Sequence, residues 1–247
     1  MVYALASDAR HRDNPQDKLL PTAGQMVDAV QRMALRPDAR SGERLMLKDS
    51  AASLRRLGLG MALAAGIGLL LGLNLGLFGG LSALGAPFVT FISMIPPLAV
   101  LPILFISFGV DELAKVMLIF IGIFPVITRD VMLATRAIPR EQITKSLTLG
   151  ASPAALAYRI VLPQILPRLI DAVRLTLGAA WLFLIAAEAI AADSGLGYRI
   201  FLMRRYLAMD VILPYVLLIT LLGYLMDLGL RQTLKSFFPW YVAGRNR

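Results

Sequence analysis

The chain has 247 residues, 57% of them hydrophobic and only 17% charged, with a mean hydropathy of +0.70. Soluble domains carry about 25% charged residues, so a water-facing globule is excluded. The absence of cysteine excludes a disulfide framework, thiolate catalysis and Cys-built metal sites. The net charge of +9 sits between apolar blocks and at the chain ends, a topology signal and a membrane-surface or partner contact, with no nucleic acid as partner.

Residues 1–56 form a polar segment with ten Lys or Arg against seven Asp or Glu and proline punctuation at Pro15, Pro21 and Pro37. It has no signal-peptide core. Its single histidine, His11, does not support a metal cluster. Thr22 can cap a short amphipathic helix over 23–35, with Met26, Val27, Val30 and Met33 at helical spacing. The transmembrane region follows, over 57–240. Leu57 to Leu84 carries no charge for 28 residues, which as a helix spans roughly 42 Å and exceeds a hydrocarbon core of about 30 Å. In this first span Gly68, Gly72 and Gly76 recur every four residues, a flat strip for a neighbouring helix or a dimer contact, and Gly79 and Gly80 end it. The second block, Gly85 to Val110, contains Pro96, Pro97 and Pro102 and is expected to be kinked or broken.

A third block, Leu113 to Thr128, closes at Arg129 and Asp130. The interval 129–174 holds seven basic and three acidic residues and faces water. Leu175 to Ala192 is a fourth span with Glu188 deep inside it, and Val211 to Leu230 is a fifth with Asp227 in its last turn. The last residues, 241–247, are a basic tail. The fold class is therefore all-α, a polytopic helical bundle with five spans. Because lysine and arginine accumulate in cytoplasmic loops, the 129–174 loop and the tail are assigned to the cytoplasm. That leaves ten basic residues of the amino-terminal segment outside, a conflict that a further span upstream of Met1 would resolve.

Reactive chemistry is absent from the sequence. No Gly-Lys pair occurs, so there is no GxxxxGK[ST] loop for nucleotide phosphates, and there is no HExxH and no GxSxG. No catalytic residue, metal or cofactor is expected. The informative stretch is the loop over 138–168. Ile138 to Leu149 is periodic after Pro139, Gly150 stands where a helix end wants positive φ, and Ser152-Pro153 offers an N-cap and first-turn proline. The second helix would present Leu156, Tyr158 and Ile160 and end at Leu162-Pro163. With apolar residues and no core of its own, this element reads as a docking device.

The spacing of Gly150, nine residues, Ile160, one residue, Leu162-Pro163 resembles the cytoplasmic signature EAA---G---------I-LP of permease subunits of ATP-binding-cassette importers. The Glu-Ala-Ala triplet falls on Thr144, Lys145 and Ser146, a departure for which Glu141 stands one turn earlier. Ile95-Pro96-Pro97-Leu98-Ala99, Leu149-Gly150-Ala151-Ser152, Ala186-Ala187-Glu188 and Ser194-Gly195-Leu196-Gly197-Tyr198 look like the nitrate, sulfonate, taurine and bicarbonate branch, and Leu20-Pro21-Thr22 looks like the outer segment after a first span. The resemblance implies a MetI-like permease fold in the inner membrane with a cytoplasmic coupling helix. It also implies a separate ATPase dimer, a second identical or homologous permease subunit, an extracytoplasmic binding protein and surrounding lipid as partners. Under it, Thr144, Lys145, Ser146, Gly150, Ala151, Leu156, Ile160, Leu162 and Pro163 are the coupling residues.

Ser93, Pro96, Pro97 and Glu188 are candidates for the translocation path. The prolines equally suit a simple bend; for Glu188 the functional readings are the path or the anchor of a gate, and the alternative is a structural hydrogen bond or ion pair with a neighbouring helix. Arg174 lies too far along the helix to be its partner and is expected to pair with Asp171. Ser194, Gly195 and Gly197, with Arg199, Arg204 and Arg205 nearby, are candidates for docking the binding protein, or simply a solvated turn. Rival readings are a secondary transporter or channel with Glu188 as a proton relay, and a non-transporting scaffold.

Overall fold

The computed structural model describes residues 7, 10, 18–38 and 42–245; His11, Pro15 and Arg247 lie outside the described residues. Among them every regular element is a helix. Four stretches are long and apolar enough to cross a membrane, and a pair of helices bent at a short break passes the same test together, which brings the number to five if that pair is one span.

Helix α1, Ala23–Val30, begins at Thr22, whose hydroxyl accepts from the Gln25 amide while Gln25 returns a bond to the Thr22 N–H. This reciprocal cap is what T-x-x-Q encodes. The chain continues through a π-helical turn to Leu35. Helix α2 then runs from Leu45 to Leu77, beginning well before the expected start at Leu57 and drawing Asp49, Ser53 and Arg56 into the bundle. Its 33 residues reach about 50 Å, so the polar first turns project beyond the hydrocarbon layer.

Helices α3, Gly79–Ser93, and α4, Pro97–Phe108, meet at a 93° elbow. Pro96 and Pro97 form the break as expected. Pro102 does not, and is carried inside α4. Pro97 sits in the first turn of α4, where an absent N–H costs nothing. Helix α5 spans Glu112–Arg136, so the apolar block continues through Arg129 and Asp130 to the helix end.

The short helix α6, Arg140–Thr148, follows, and Ser152 caps α7, Pro153–Ala155. From there a π-helical stretch, Leu156–Val161, passes directly into α8, Leu162–Ile190. Leu162-Pro163 was expected to terminate the second loop helix, and it does not. Pro163 lies in the first turn of α8, and the widened π turn ahead of it accommodates the missing donor. Helix α9, Leu196–Arg204, turns back against α8; α10, Met209–Phe237, makes the last span; and α11, Pro239–Arg245, closes the described chain.

The most extensive interface joins α2 to α5, followed by α5 to α8. The glycine strip explains the first. A Cβ at Gly68 would stand 2.9 Å from an Ile127 methyl, and one at Gly72 would stand 2.7 Å from the Thr128 carbonyl and Val131. Gly60 continues the strip against Ile119, and Gly76 meets Thr135. The two backbones approach because no side chain separates them. Helix α10 is the least enclosed of the four unbroken spans, with Val216, Leu217, Leu221, Tyr224 and Leu225 exposed.

Candidate functional site

Two regions of the bundle carry chemistry. They lie at opposite ends of the long helices: one at the end bearing α6, the other at the end bearing α1.

At the α6 end, the turn between α6 and α7 has the geometry its sequence encodes. Gly150 has φ +85°, which an L-residue adopts only at a cost of roughly 1–2 kcal/mol. The Ser152 hydroxyl accepts from the Ala155 N–H at 3.2 Å. Thr144, Lys145, Gly150 and Pro163 are exposed, Ser146, Ala151, Ile160 and Leu162 partly so. Leu156 was placed on the presented surface and is instead 7% exposed, within the core. The π-helical register rotates it and Ala157 inward, leaving Tyr158 outside. Leu147, Leu149 and Tyr158 are the large apolar groups this element displays, Leu149 at 79% exposure.

Behind it, Arg174 donates to Asp171 at 2.9 Å, the expected i,i+3 pair, and also to Asp227 at 2.8 Å on α10. Tyr241 of α11 donates to the other Asp171 oxygen at 3.0 Å. Burial raises the Tyr241 phenol above its ordinary pKa, so it remains a donor. The last two helices are thereby fastened to α8.

At the α1 end a polar cluster is closed inside the bundle. Asp49, Ser53 and Arg56 follow one face of α2 at spacings of four and three. The Arg56 guanidinium, 2% exposed, donates to Glu188 Oε1 at 2.6 Å, to both Glu112 oxygens at 2.5 and 2.7 Å, and to the Ser194 carbonyl at 2.7 Å. Glu188, 0% exposed, also accepts from Ser53 Oγ at 2.8 Å and from the Gly197 N–H at 2.8 Å. Asp49 accepts from the Gly195 N–H at 3.0 Å, from Arg199 Nε at 2.8 Å and from the Tyr215 hydroxyl at 3.1 Å. A buried ion pair repays its desolvation only when the remaining lone pairs are filled, and here backbone and hydroxyl donors fill them. Burial opposes the Arg199 charge, but its bonds to Asp49 and that carboxylate's charge outweigh the penalty and raise its pKa.

This geometry corrects two expectations. Glu188 is enclosed between α2 and α9 and makes the structural ion pair that was the alternative to a place in the path. Gly195 and Gly197 are buried and present nothing to a docking protein. Their amides feed Asp49 and Glu188, Gly195 has φ +128°, and a Cβ there would overlap the Glu188 carboxyl group. Ser194 contributes its carbonyl to Arg56, and Arg199 is engaged by Asp49. Gly195→Ala is therefore expected to prevent recovery of a folded, monodisperse protein, measured by size-exclusion profile in detergent; a wild-type profile would contradict the packing described. Ser93 and Pro96, by contrast, are exposed at the elbow, and Pro97 is half-buried. Arg56, Asp49 and Tyr215 escaped the sequence reading because their partners are distant in the chain, 56 and 132 residues away for Arg56 and more than 140 for Asp49 and Tyr215. The one available signal was that Glu188 must have a cationic partner.

A family described as binding-protein-dependent transport system inner membrane component matches residues 64–232. The taurine transport system permease protein TauC of Escherichia coli K12 is 34% identical over 191 residues, covering 77% of this chain and 70% of that one. The bicarbonate transport system permease protein CmpB of Synechococcus elongatus is 33% identical over 183 residues, 72% and 65% of the two chains. Among solved structures, an inward-facing MetNI methionine ABC transporter matches with a TM-score of 0.70 at 22% identity, over 81% of this chain and 99% of that one, a likeness of fold. With a family match over 64–232 and relatives at this level of identity, the chain belongs to the binding-protein-dependent transport system inner membrane components.

Proposed function

We propose that this permease subunit of an ATP-binding-cassette importer in the inner membrane carries a small anion, works as one half of a permease pair, and receives its driving force through the segment from Arg140 to Val161. The solute class follows the relatives that transport taurine and bicarbonate. No GxxxxGK[ST] loop occurs in the sequence, so ATP is hydrolysed by a partner. The observation that carries the coupling assignment is the exposed α6 element itself. It is a short helix between two spans, turned at Gly150 and displaying Leu147, Leu149 and Tyr158 to a surface with no core for them to join. Nucleotide-driven closure of the ATPase pair would push on this element and rock the permease halves between two states.

The experiment compares two charge insertions in the assembled importer. Leu149→Glu should leave folding and insertion intact while reducing binding-protein-stimulated ATP hydrolysis and co-purification of the ATPase by at least roughly tenfold, a coupling loss of about 1.4 kcal/mol. Leu156→Glu should instead lower recovery of folded protein, because that side chain is in the core. Normal stimulated hydrolysis by Leu149→Glu would overturn the assignment. The proton-relay reading draws no support from a Glu188 carboxylate whose two oxygens are occupied by Arg56, Ser53 and Gly197.

A further inference from the structure

The face of α5 that carries Val126, Arg129, Leu133 and Arg136 at helical spacing is left uncovered by the rest of the chain. Arg136 ends the helix and contacts the Ser82 hydroxyl of α3. Arg129 lies seven residues deeper, roughly 10 Å farther into the span. Among the described residues its guanidinium has no ion pair and no hydrogen bond. The neighbouring carboxylate, Asp130, is already taken by Arg168 of α8 at 3.3 Å. A guanidinium facing hydrocarbon without a partner is costly, so this side chain must extend to water or meet an anion.

Such a place is present. Arg129 and Arg136 line a groove of about 590 Å³ against Thr90, Phe91 and Met94 of α3, just below the elbow at Pro96 and Pro97. A second groove of about 710 Å³ shares Arg136 and leads on to Ser82, Arg140 and Thr144. No acidic residue lines either groove. The pair forms a track of one sign, from Arg129, about two turns inside the end of α5, to the element assigned to the ATPase, and low-dielectric walls focus such a field.

We infer that the groove between α3 and α5 is a water-filled, anion-selective part of the translocation path, and that Arg129 is its specificity-determining cation. The inference deepens the reading of the chain as an anion permease and rests on it. A carboxylate, sulfonate or bicarbonate group would accept from the guanidinium, with Phe91 and Met94 of the same groove able to cover an apolar stem. The same guanidinium could hold a phospholipid headgroup phosphate, so the test separates the two sources.

The chain has no cysteine, so Thr90→Cys introduces the sole thiol. The assembled importer is reconstituted into phosphatidylcholine vesicles, and the thiol is treated with anionic methanethiosulfonate ethylsulfonate and with its cationic trimethylammonium analogue. The expected result is reaction from water, with the anionic reagent favoured, and a fall of roughly tenfold in that preference in Arg129→Gln. Arg129→Lys should restore most of it. Met94→Cys serves as the second probe if Thr90→Cys fails to assemble. A thiol unreactive toward both reagents at both positions would overturn the inference, as would a preference indifferent to Arg129→Gln. Loss of the preference when phosphatidylglycerol is added would assign the groove to a lipid headgroup and overturn it likewise. Uptake of taurine, ethanesulfonate and bicarbonate is followed in the same vesicles. If none is carried while the preference still follows Arg129, the groove stands and the proposed solute class is what fails.

Discussion

Replacing Arg56 by methionine is expected to destabilise the subunit by about 3–5 kcal/mol, because it strips Glu188 of its counter-charge inside the bundle. Only Ser53 and the Gly197 amide would remain to solvate a carboxylate that is 0% exposed. Glu112 would suffer far less, since its side chain is 43% exposed and can be hydrated. The reverse change, Glu188→Leu, should be milder, because Arg56 keeps Glu112 as a partner. The double variant Arg56→Met with Glu188→Leu should recover more than half of the loss, since apolar groups of similar volume replace a buried pair at little cost. Melting of the purified protein in detergent measures all three. Equal damage in the single and double variants would show that the guanidinium matters for something other than the charge of Glu188.

The second large effect is expected at the glycine strip. Gly72→Leu would place a Cβ 2.7 Å from both the Thr128 carbonyl and Val131, atoms of a neighbouring helix that cannot swing aside. Overpacking costs about 1–3 kcal/mol even in a core that can adjust, and here two backbones must separate along their main interface. Gly66 makes the control. It lies in the same helix with nothing within 4 Å of its built Cβ, so Gly66→Ala should be neutral or stabilising by up to about 1 kcal/mol. If Gly72→Leu melted like the control, the close approach of α2 and α5 would be refuted.

Local features were the ones legible in the sequence. The Thr22 cap, the broken helix at Pro96-Pro97, the positive φ at Gly150 and the Ser152 cap each depend on a few consecutive residues, and each is found where those residues stand. The five spans followed from apolar length alone. Legibility failed where distant parts of the chain decide the outcome. Arg55 and Arg56 read as the polar edge of a soluble segment, yet Arg56 is drawn inside by carboxylates 56 and 132 residues away. The Ser-Gly-Leu-Gly-Tyr stretch reads as an exposed turn, because nothing local says that its amides have buried acceptors. Leu156 was misplaced for a subtler reason: the chain widens into a π-helical turn from Leu156 to Val161, so the facing of these residues does not follow α-helical spacing, and no pattern of residues announced it.

The closed polar cluster constrains how this subunit can move. Asp49, Arg56 and Glu188, with their partners, rivet α2, α5, α8, α9 and α10 together at one extremity. Sliding one span past another there would uncover several charges at once. Under the coupling proposed above, a tilt of the whole subunit about this stiff head would keep those charges covered, with compliance left to the elbow between α3 and α4 and to the far extremity. A push on α6, if that element is where the ATPase acts as proposed, would then be delivered through a lever and not absorbed by a soft bundle.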